Sequence, residues 1–287
     1  MKAARLHAYH DQLKLEEVDE PKALGPLDVV VRIGAAGLCR ACRRGDDMHC
    51  VNGSFPGINR DGGFAELLQT SARSVVKLDP SLQPKDIAAL ADAGLTAIHA
   101  VKKAFPVLGA GTRVVVIGAG GLGHIGIQCL KAYTPAEVIV VDPSEQALAL
   151  AGEMGADRTV KVDSSKHIDT VKELTDGFGA EAIIDFVGEK GAIEDGIAMI
   201  QDGGFYYVIG YGENVNVPTI DIISREISFI GNLVGTYTDL QDLMTLTAQG
   251  KVSLHTTTYP LDAINDAMAD LDGGRLQGRG ILIPATA

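Results

Sequence analysis

From about Thr112 the chain alternates between short apolar runs and segments of helical period. The runs are RVVVIG (Arg113 to Gly118), EVIVVD (Glu137 to Asp142), EAIIDFVG (Glu181 to Gly188), GFYYVIG (Gly204 to Gly210) and ISFIG (Ile227 to Gly231). They are β-branched and apolar at successive positions, the pattern of strands buried on both faces. Between them lie segments such as SEQALALAGEMGA, with Ser144 placed to cap a helix and Gly155 to end it. Continuous apolar strands separated by helices specify a doubly wound α/β domain, a parallel sheet covered on both faces.

The chain ends carry another pattern. DVVVRIGAAG (Asp28 to Gly37) reads as a strand running into a turn. GGFAELLQTSARSVVKL (Gly62 to Leu78) reads as two short strands joined by a polar turn. After Pro260 come a helical LDAINDAMADL and a last strand in GRGILIP, expected to pair outside the α/β domain. The expectation is therefore a second, β-rich domain from residues 1–93 and 258–287, with the α/β domain over 94–257. No internal repeat or low-complexity linker interrupts this plan.

Composition narrows the function. The 287 residues carry 25 Lys plus Arg against 37 Asp plus Glu, a formal charge of -12. That balance repels phosphate backbones and anionic lipid, so nucleic acid and membrane are not expected partners. The densest basic cluster, Arg40, Arg43 and Arg44, sits beside Asp46 and Asp47 and reads as a solvated loop. No run approaches the roughly 18 apolar residues of a membrane span. MKAARLHAYHDQLKLEE lacks the apolar core of a secretory signal. A cytoplasmic protein is the expectation.

VVVIGAGGLGHIG supplies Gly118-x-Gly120-x-x-Gly123. The motif comes after a buried strand and opens a helical segment, the context in which it binds a dinucleotide. Gly118 permits the tight turn, Gly120 lets backbone approach a pyrophosphate, and Gly123 lets the helix pack on the sheet. Gly121 and Leu122 complete the turn, whose helix amino terminus faces the phosphates. Nineteen residues past Gly123, Asp142 ends the next strand. A carboxylate there accepts the ribose hydroxyls of NAD and repels the 2′-phosphate of NADP. Pro143 and Ser144 come next, with no cation to hold that phosphate. His124 and Cys129, on the next helix, read as packing residues.

Cys39, Cys42 and Cys50 stand in AAGLCRACRRGDDMHC, a Cys-x2-Cys with a third thiol after seven residues. The spacing suits either a metal site or free reduced thiols.

Taken together, LADAGLTAIHAVKKA (Leu90 to Ala104), VIGAGGLGHIGIQCLKA, GRGILIP, the cysteine lobe and the strands from Gly62 resemble the zinc-dependent alcohol dehydrogenases of the medium-chain dehydrogenase superfamily. The resemblance runs in order along nearly the whole chain. It implies a Rossmann domain and a GroES-like β domain built from both chain ends, here truncated. It also implies hydride transfer between a nicotinamide and a small alcohol, ketone or aldehyde. The family's structural zinc uses Cys-x2-Cys-x2-Cys-x7-Cys; the last three fall on Cys39, Cys42 and Cys50, and the first on Ala36. Water, His49, Asp46 or Asp47 would then fill the fourth position.

Its catalytic zinc uses a Cys, a His followed by Glu, and a third Cys or Asp. Asp92 matches the third ligand, but none of the seven histidines precedes a Glu. In the family AAGLC introduces the catalytic cysteine and a similar Gly-x-Cys introduces the structural lobe. Here both fuse at Gly37-Leu38-Cys39, as though an intervening segment had been removed in frame. A source gene with that segment intact would refute this reading. The hydroxyl residue that usually comes after the catalytic Cys is replaced by Arg40 and Ala41. Only Cys39 and Asp92 are left for an electrophilic metal, a weak site.

For the cofactor, the resemblance carries Thr96 to a place beside the nicotinamide ring. Val187, Gly188, Ile209 and Gly210 line the crevice, Leu233 and Val234 meet the carboxamide, and Arg279 reaches the pyrophosphate. Three readings compete: an NAD-dependent oxidoreductase with an impaired or altered zinc site, a zinc-independent quinone or enoyl reductase, and a non-catalytic NAD-binding or interaction subunit. The last Rossmann strand EISFIG is apolar, and the family commonly pairs there across a two-fold axis, so the resemblance implies a homodimer or homotetramer.

Overall fold

The computed structural model describes residues 2–5, 12–19, 28–30, 39–71, 74–163 and 166–285. Ala36, the Gly37-Leu38 junction and the end of the DVVVRIGAAG run lie outside the described residues. By its contacts the chain divides into two units. One comprises Met1–Ala91, Gly235–Thr245 and Leu254–Ala287, and the other Asp92–Val234 and Leu246–Ser253.

The first unit begins with β1 (Lys2–Arg5), β2 (Lys14–Glu17), β3 (Asp28–Val30), the short helix α1 (Arg40–Arg44), β4 (Gln69–Ser71) and α2 (Pro84–Ile87). The second opens with α3 (Ala93–Ala104), β5 (Arg113–Ile117), α4 (Gly123–Tyr133), β6 (Glu137–Asp142), α5 (Glu145–Glu153) and β7 (Arg158–Lys161). It continues through α6 (Lys166–Leu174), β8 (Ala180–Asp185), α7 (Ala192–Met199), β9 (Ile200–Val208), α8 (Thr219–Arg225) and β10 (Ser228–Gly231). The last elements are α9 (Tyr237–Ala248), β11 (Thr256–Pro260), α10 (Ile264–Asp272) and β12 (Arg279–Ile283).

The second unit is built on a six-stranded parallel sheet of order β10-β9-β8-β5-β6-β7. The chain lays down β5, β6 and β7 in one direction, then returns to lay β8, β9 and β10 on the other side of β5. A doubly wound sheet reverses in this way at one point, here between β5 and β8, and ligands bind at the carboxyl ends of the strands flanking the reversal. Val115 and Ile117 of β5, Ile139 and Val141 of β6 and Ile183 of β8 form one core cluster with Val171 of α6 and Ala192 of α7. Tyr206 belongs to that cluster, while the adjacent Tyr207 donates its hydroxyl to the Lys103 carbonyl of α3 at 3.2 Å. Successive residues thus serve opposite faces of one strand. Ser144 caps α5 by accepting the Ala147 amide at 3.2 Å.

In the first unit β1 pairs antiparallel with β2 and β3 with β4, while β11 and β12 pair in parallel. The last strand therefore pairs outside the six-stranded sheet. Two local differences from the sequence expectations have physical causes. The sixth strand of the large sheet, β7, carries no apolar run to announce it, because Val160 alone is buried in RTVK. The SVVKL stretch is not a strand; the Val75 carbonyl instead accepts the Tyr237 hydroxyl at 3.2 Å. Among the described residues no helix is long and apolar enough to cross a membrane.

Ile183 is fully buried in the central core. Ile183→Ala should lower unfolding stability by about 3 kcal/mol, through lost transfer energy and the cavity left behind. Urea denaturation reads this directly, and a loss below about 1 kcal/mol would show that the sheet does not pack there as described.

Candidate functional site

The reversal between β5 and β8 brings two turns together. Gly118, just past β5, adopts φ +88°, and its amide donates to the Val141 carbonyl at 2.9 Å. A Cβ at Gly118 would lie 2.6 Å from Cγ2 of Val187, in the turn after β8. A Cβ at Gly123 would collide with the Gly118 carbonyl oxygen, whereas one at Gly120 would meet nothing within 4 Å. The turn is thus closed where it packs and open where a ligand backbone would approach. Gly121 and Leu122 lie between, and α4 starts at Gly123 with its amino terminus at the turn. First-turn amides of a helix lack intrahelical acceptors and favour an anion.

Asp142 ends β6 and is 8% exposed. One carboxylate oxygen accepts the Ala119 amide of the glycine turn at 2.8 Å, and the other accepts the Ser144 amide at 2.8 Å. The two bonds fix the side chain against the turn, and each oxygen retains capacity for a further donor. His124 is fully buried, with Nδ1 2.8 Å from the Gly120 carbonyl oxygen. Burial pushes the Cys129 thiol up to about 12, so it remains an unreactive packing group.

Two further turns, after β8 and β9, carry Val187, Gly188, Ile209 and Gly210. A Cβ on Gly188 (φ +65°) would collide with the Gly210 carbonyl, and one on Gly210 would collide with the Val187 backbone. Only hydrogens fit between them. A residue absent from the expected site, Asp185, holds both turns. One carboxylate oxygen accepts the Val187 and Gly188 amides at 2.8 and 3.0 Å, and the other accepts the Tyr206 hydroxyl at 2.8 Å. Its backbone carbonyl accepts the Ile209 and Gly210 amides at 3.0 and 2.9 Å. In sequence Asp185 reads only as the polar end of an apolar strand. Its partners are backbone amides and a tyrosine 21 residues on, and no spacing rule signals that arrangement.

Leu233 and Val234 come after β10, with Leu233 48% exposed and Val234 at φ +44°. A β-branched residue at positive φ is strained, a condition concentrated at functional sites. At the start of α3, Thr96 donates its hydroxyl to the Asp92 carbonyl at 2.8 Å. The glycine turn, Asp142, the turns after β8 and β9 and the 233–234 segment therefore share the carboxyl edge of one sheet. Arg279, the first residue of β12, belongs to the other unit. A depression of about 480 Å³ lined by Lys172, Phe178, Ile200, Gln201 and Arg225 lies at the opposite edge, where β8 and β9 begin.

In the first unit the sulfurs of Cys39, Cys42 and Cys50 lie within 4.8 Å of one another. Those of Cys39 and Cys42 are 3.7 Å apart. Thiolates on a shared tetrahedral zinc stand roughly 3.8 Å apart, so the set fits zinc. Cys39 precedes α1, Cys42 lies within it, and Gly45 closes the helix at φ +85°. Backbone donation from Cys42 draws the Cys39 thiol down to about 6, while burial and the neighbouring thiols push Cys42 up to about 11. Among the described residues, His49, Asp46 and Asp47 do not join the cluster. Asp46 pairs with Arg44 at 3.0 Å, and Asp47 accepts the Tyr237 amide at 3.0 Å. Among the described residues Asp92 belongs to no group of three metal-ligating side chains.

With this geometry established, the likeness to known proteins is informative. Residues 121–249 match the family described as "Zinc-binding dehydrogenase". The chain is 36% identical over 251 residues to the D-arabinose 1-dehydrogenase (NADP(+)) of Saccharolobus solfataricus, taking in 86% of this chain and 71% of that protein. It is 33% identical over 251 residues to the NAD-dependent alcohol dehydrogenase of Sulfurisphaera tokodaii, taking in 86% and 72%. The alcohol dehydrogenase structure from Aeropyrum pernix superposes with a TM-score of 0.93 at 39% identity, over 99% of this chain and 100% of that one. The chain belongs to the zinc-dependent alcohol dehydrogenase family of medium-chain oxidoreductases.

Proposed function

We propose that the protein is an NAD-dependent oxidoreductase that moves hydride between a nicotinamide and a small alcohol, ketone or aldehyde. The observation that carries this reading is the Asp142 carboxylate held by the Ala119 amide at 2.8 Å, one strand over from the phosphate turn. A carboxylate so fixed accepts both adenosine-ribose hydroxyls and repels a 2′-phosphate. The names of the relatives divide between NADP and NAD; the carboxylate at position 142, with Pro143, Ser144 and Glu145 after it, favours NAD here.

In this reading Gly118, Gly120, Gly121, Leu122 and Gly123 cradle the pyrophosphate. Val187, Gly188, Ile209 and Gly210 line the nicotinamide crevice, Leu233 and Val234 present backbone to the carboxamide, and Thr96 stands beside the ring. The nicotinamide, when bound, would supply the acceptor for hydride from the carbinol carbon, and the hydroxyl proton would leave to solvent. The open strand edge at β10 serves association with a second copy.

Zinc, when bound by Cys39, Cys42 and Cys50, supplies a cross-link between α1 and the loop after it. Cys39 is then committed to the lobe, and among the described residues Asp92 joins no set of ligands for an electrophilic metal. That same observation favours a second reading, dinucleotide binding without turnover.

Asp142→Ala should weaken NADH binding about tenfold or more, by removing a charged acceptor of ribose hydroxyls, and should narrow the gap between NADH and NADPH. Fluorescence titration measures both. Unchanged NADH affinity would remove the support on which the cofactor assignment rests. Alcohol-dependent NADH formation, assayed with and without a chelator, separates metal-independent turnover from binding alone.

Purified protein should contain about one zinc per chain, and Cys42→Ser should lower that content and the thermal midpoint together. Elemental analysis beside a melting curve is the measurement. Metal-free wild type with the melting point of zinc-treated protein would identify the cluster as plain thiols.

A further inference from the structure

We infer that Asp185 is a positioning residue for the nicotinamide end of the site, acting through the two turns it ties together; this rests on the dinucleotide-binding reading above. Asp185 is fully buried among the apolar strands of the core. A buried carboxylate is costly unless its oxygens are satisfied, and an apolar side chain of similar volume often serves stability as well or better. What an apolar side chain cannot do is accept the Val187 and Gly188 amides, which turn out of the β8 ladder immediately after Asp185.

The arrangement is specific in three respects. First, one residue gathers four amides from two separate turns, using its side chain for the turn after β8 and its carbonyl for the turn after β9. Second, Tyr206 locks the carboxylate rotamer. Its ring is fully buried, and its hydroxyl donates to the oxygen that the turn amides leave free. Burial, reinforced by the Asp185 charge, pushes that phenol far above its usual range, so it remains a donor. Third, the turn held by Asp185 presses on the glycine turn, since Val187 occupies the space a Gly118 side chain would need. From the outer side Glu213 accepts the Lys190 and Gly191 amides at 2.7 and 3.3 Å, and its own amide donates to the Gly188 carbonyl at 3.0 Å. The crevice lining is a clamped pair of turns, and Asp185 is its inner fastening.

Two ligands distinguish positioning from general support: NADH, which reaches the crevice lining, and ADP-ribose, which ends before the nicotinamide. Titration of wild type, Asp185→Ala and Asp185→Asn with both provides the test. Asp185→Ala should weaken NADH about tenfold, as two turn amides lose their acceptor, and change ADP-ribose less than about twofold. Asp185→Asn should restore the wild-type ratio. Its oxygen still accepts both turn amides and its nitrogen donates to Tyr206, whose proton turns to the Ala192 carbonyl 3.4 Å away.

An equal loss for both ligands in Asp185→Ala, or no loss for either, overturns the inference. Wild type that binds neither ligand overturns the dinucleotide reading itself, and this inference with it. Should Asp185→Ala not fold, Asp185→Ser, too short to reach both amides, reads the same ratio. Failure of both to fold makes Asp185 a requirement of the fold alone and refutes the positioning role.

Discussion

The close approach of backbone to backbone at the carboxyl edge of the parallel sheet is the constraint on which the rest of the candidate site depends. The turns after β5, β8 and β9 meet with room only for hydrogen at Gly118, Gly188 and Gly210. Such proximity brings many amides and carbonyls into a small volume, and each must find a partner away from water. Two aspartates at strand ends supply much of that need. Asp142 takes an amide of the glycine turn and one beyond β6, while Asp185 takes amides from both other turns. The edge is thereby shaped before any ligand arrives. Pre-organisation of this kind lowers the ordering cost of binding.

The sheet was largely legible because its strands are buried on both faces, which forces runs such as VVVI and VIVV that no helix period explains. β7 was not, because an edge strand with a single buried residue carries almost no pattern. The stretch after Ser74 misled in the opposite way. Its Val75 and Val76 have the composition of a strand, yet a tyrosine hydroxyl takes the carbonyl that a neighbouring strand would have taken. Pattern reports burial; it does not report which acceptor a backbone group finds.

The same division holds within the site. The glycine triplet and Asp142 stand at spacings set by the length of one strand-turn-helix-strand unit, so position along the chain announces them. Asp185 belongs to no such unit. Its acceptors serve turns that meet only because β8 and β9 are neighbours, and the Tyr206 hydroxyl reaches it across that pair. The cysteines were legible by spacing alone. Their supposed fourth partner was not, since Asp46 already neutralises Arg44 and Asp47 already accepts a backbone amide. A charged side chain near a cluster is not thereby a ligand. Its existing bonds decide.

In the proposed reading Cys39 is a single side chain with two candidate tasks. A thiol 3.7 Å from a second and within reach of a third already has the spacing of ligands on a shared metal. Withdrawing it to serve an open, electrophilic site would leave two thiols, too few to hold a zinc in the lobe by themselves. The dinucleotide cradle proposed for this chain does not face this competition, because it would be formed mostly by backbone whose groups every residue carries. Chemistry at a metal depends on a few irreplaceable side chains, whereas the cradle depends on glycines and two aspartates set by the fold.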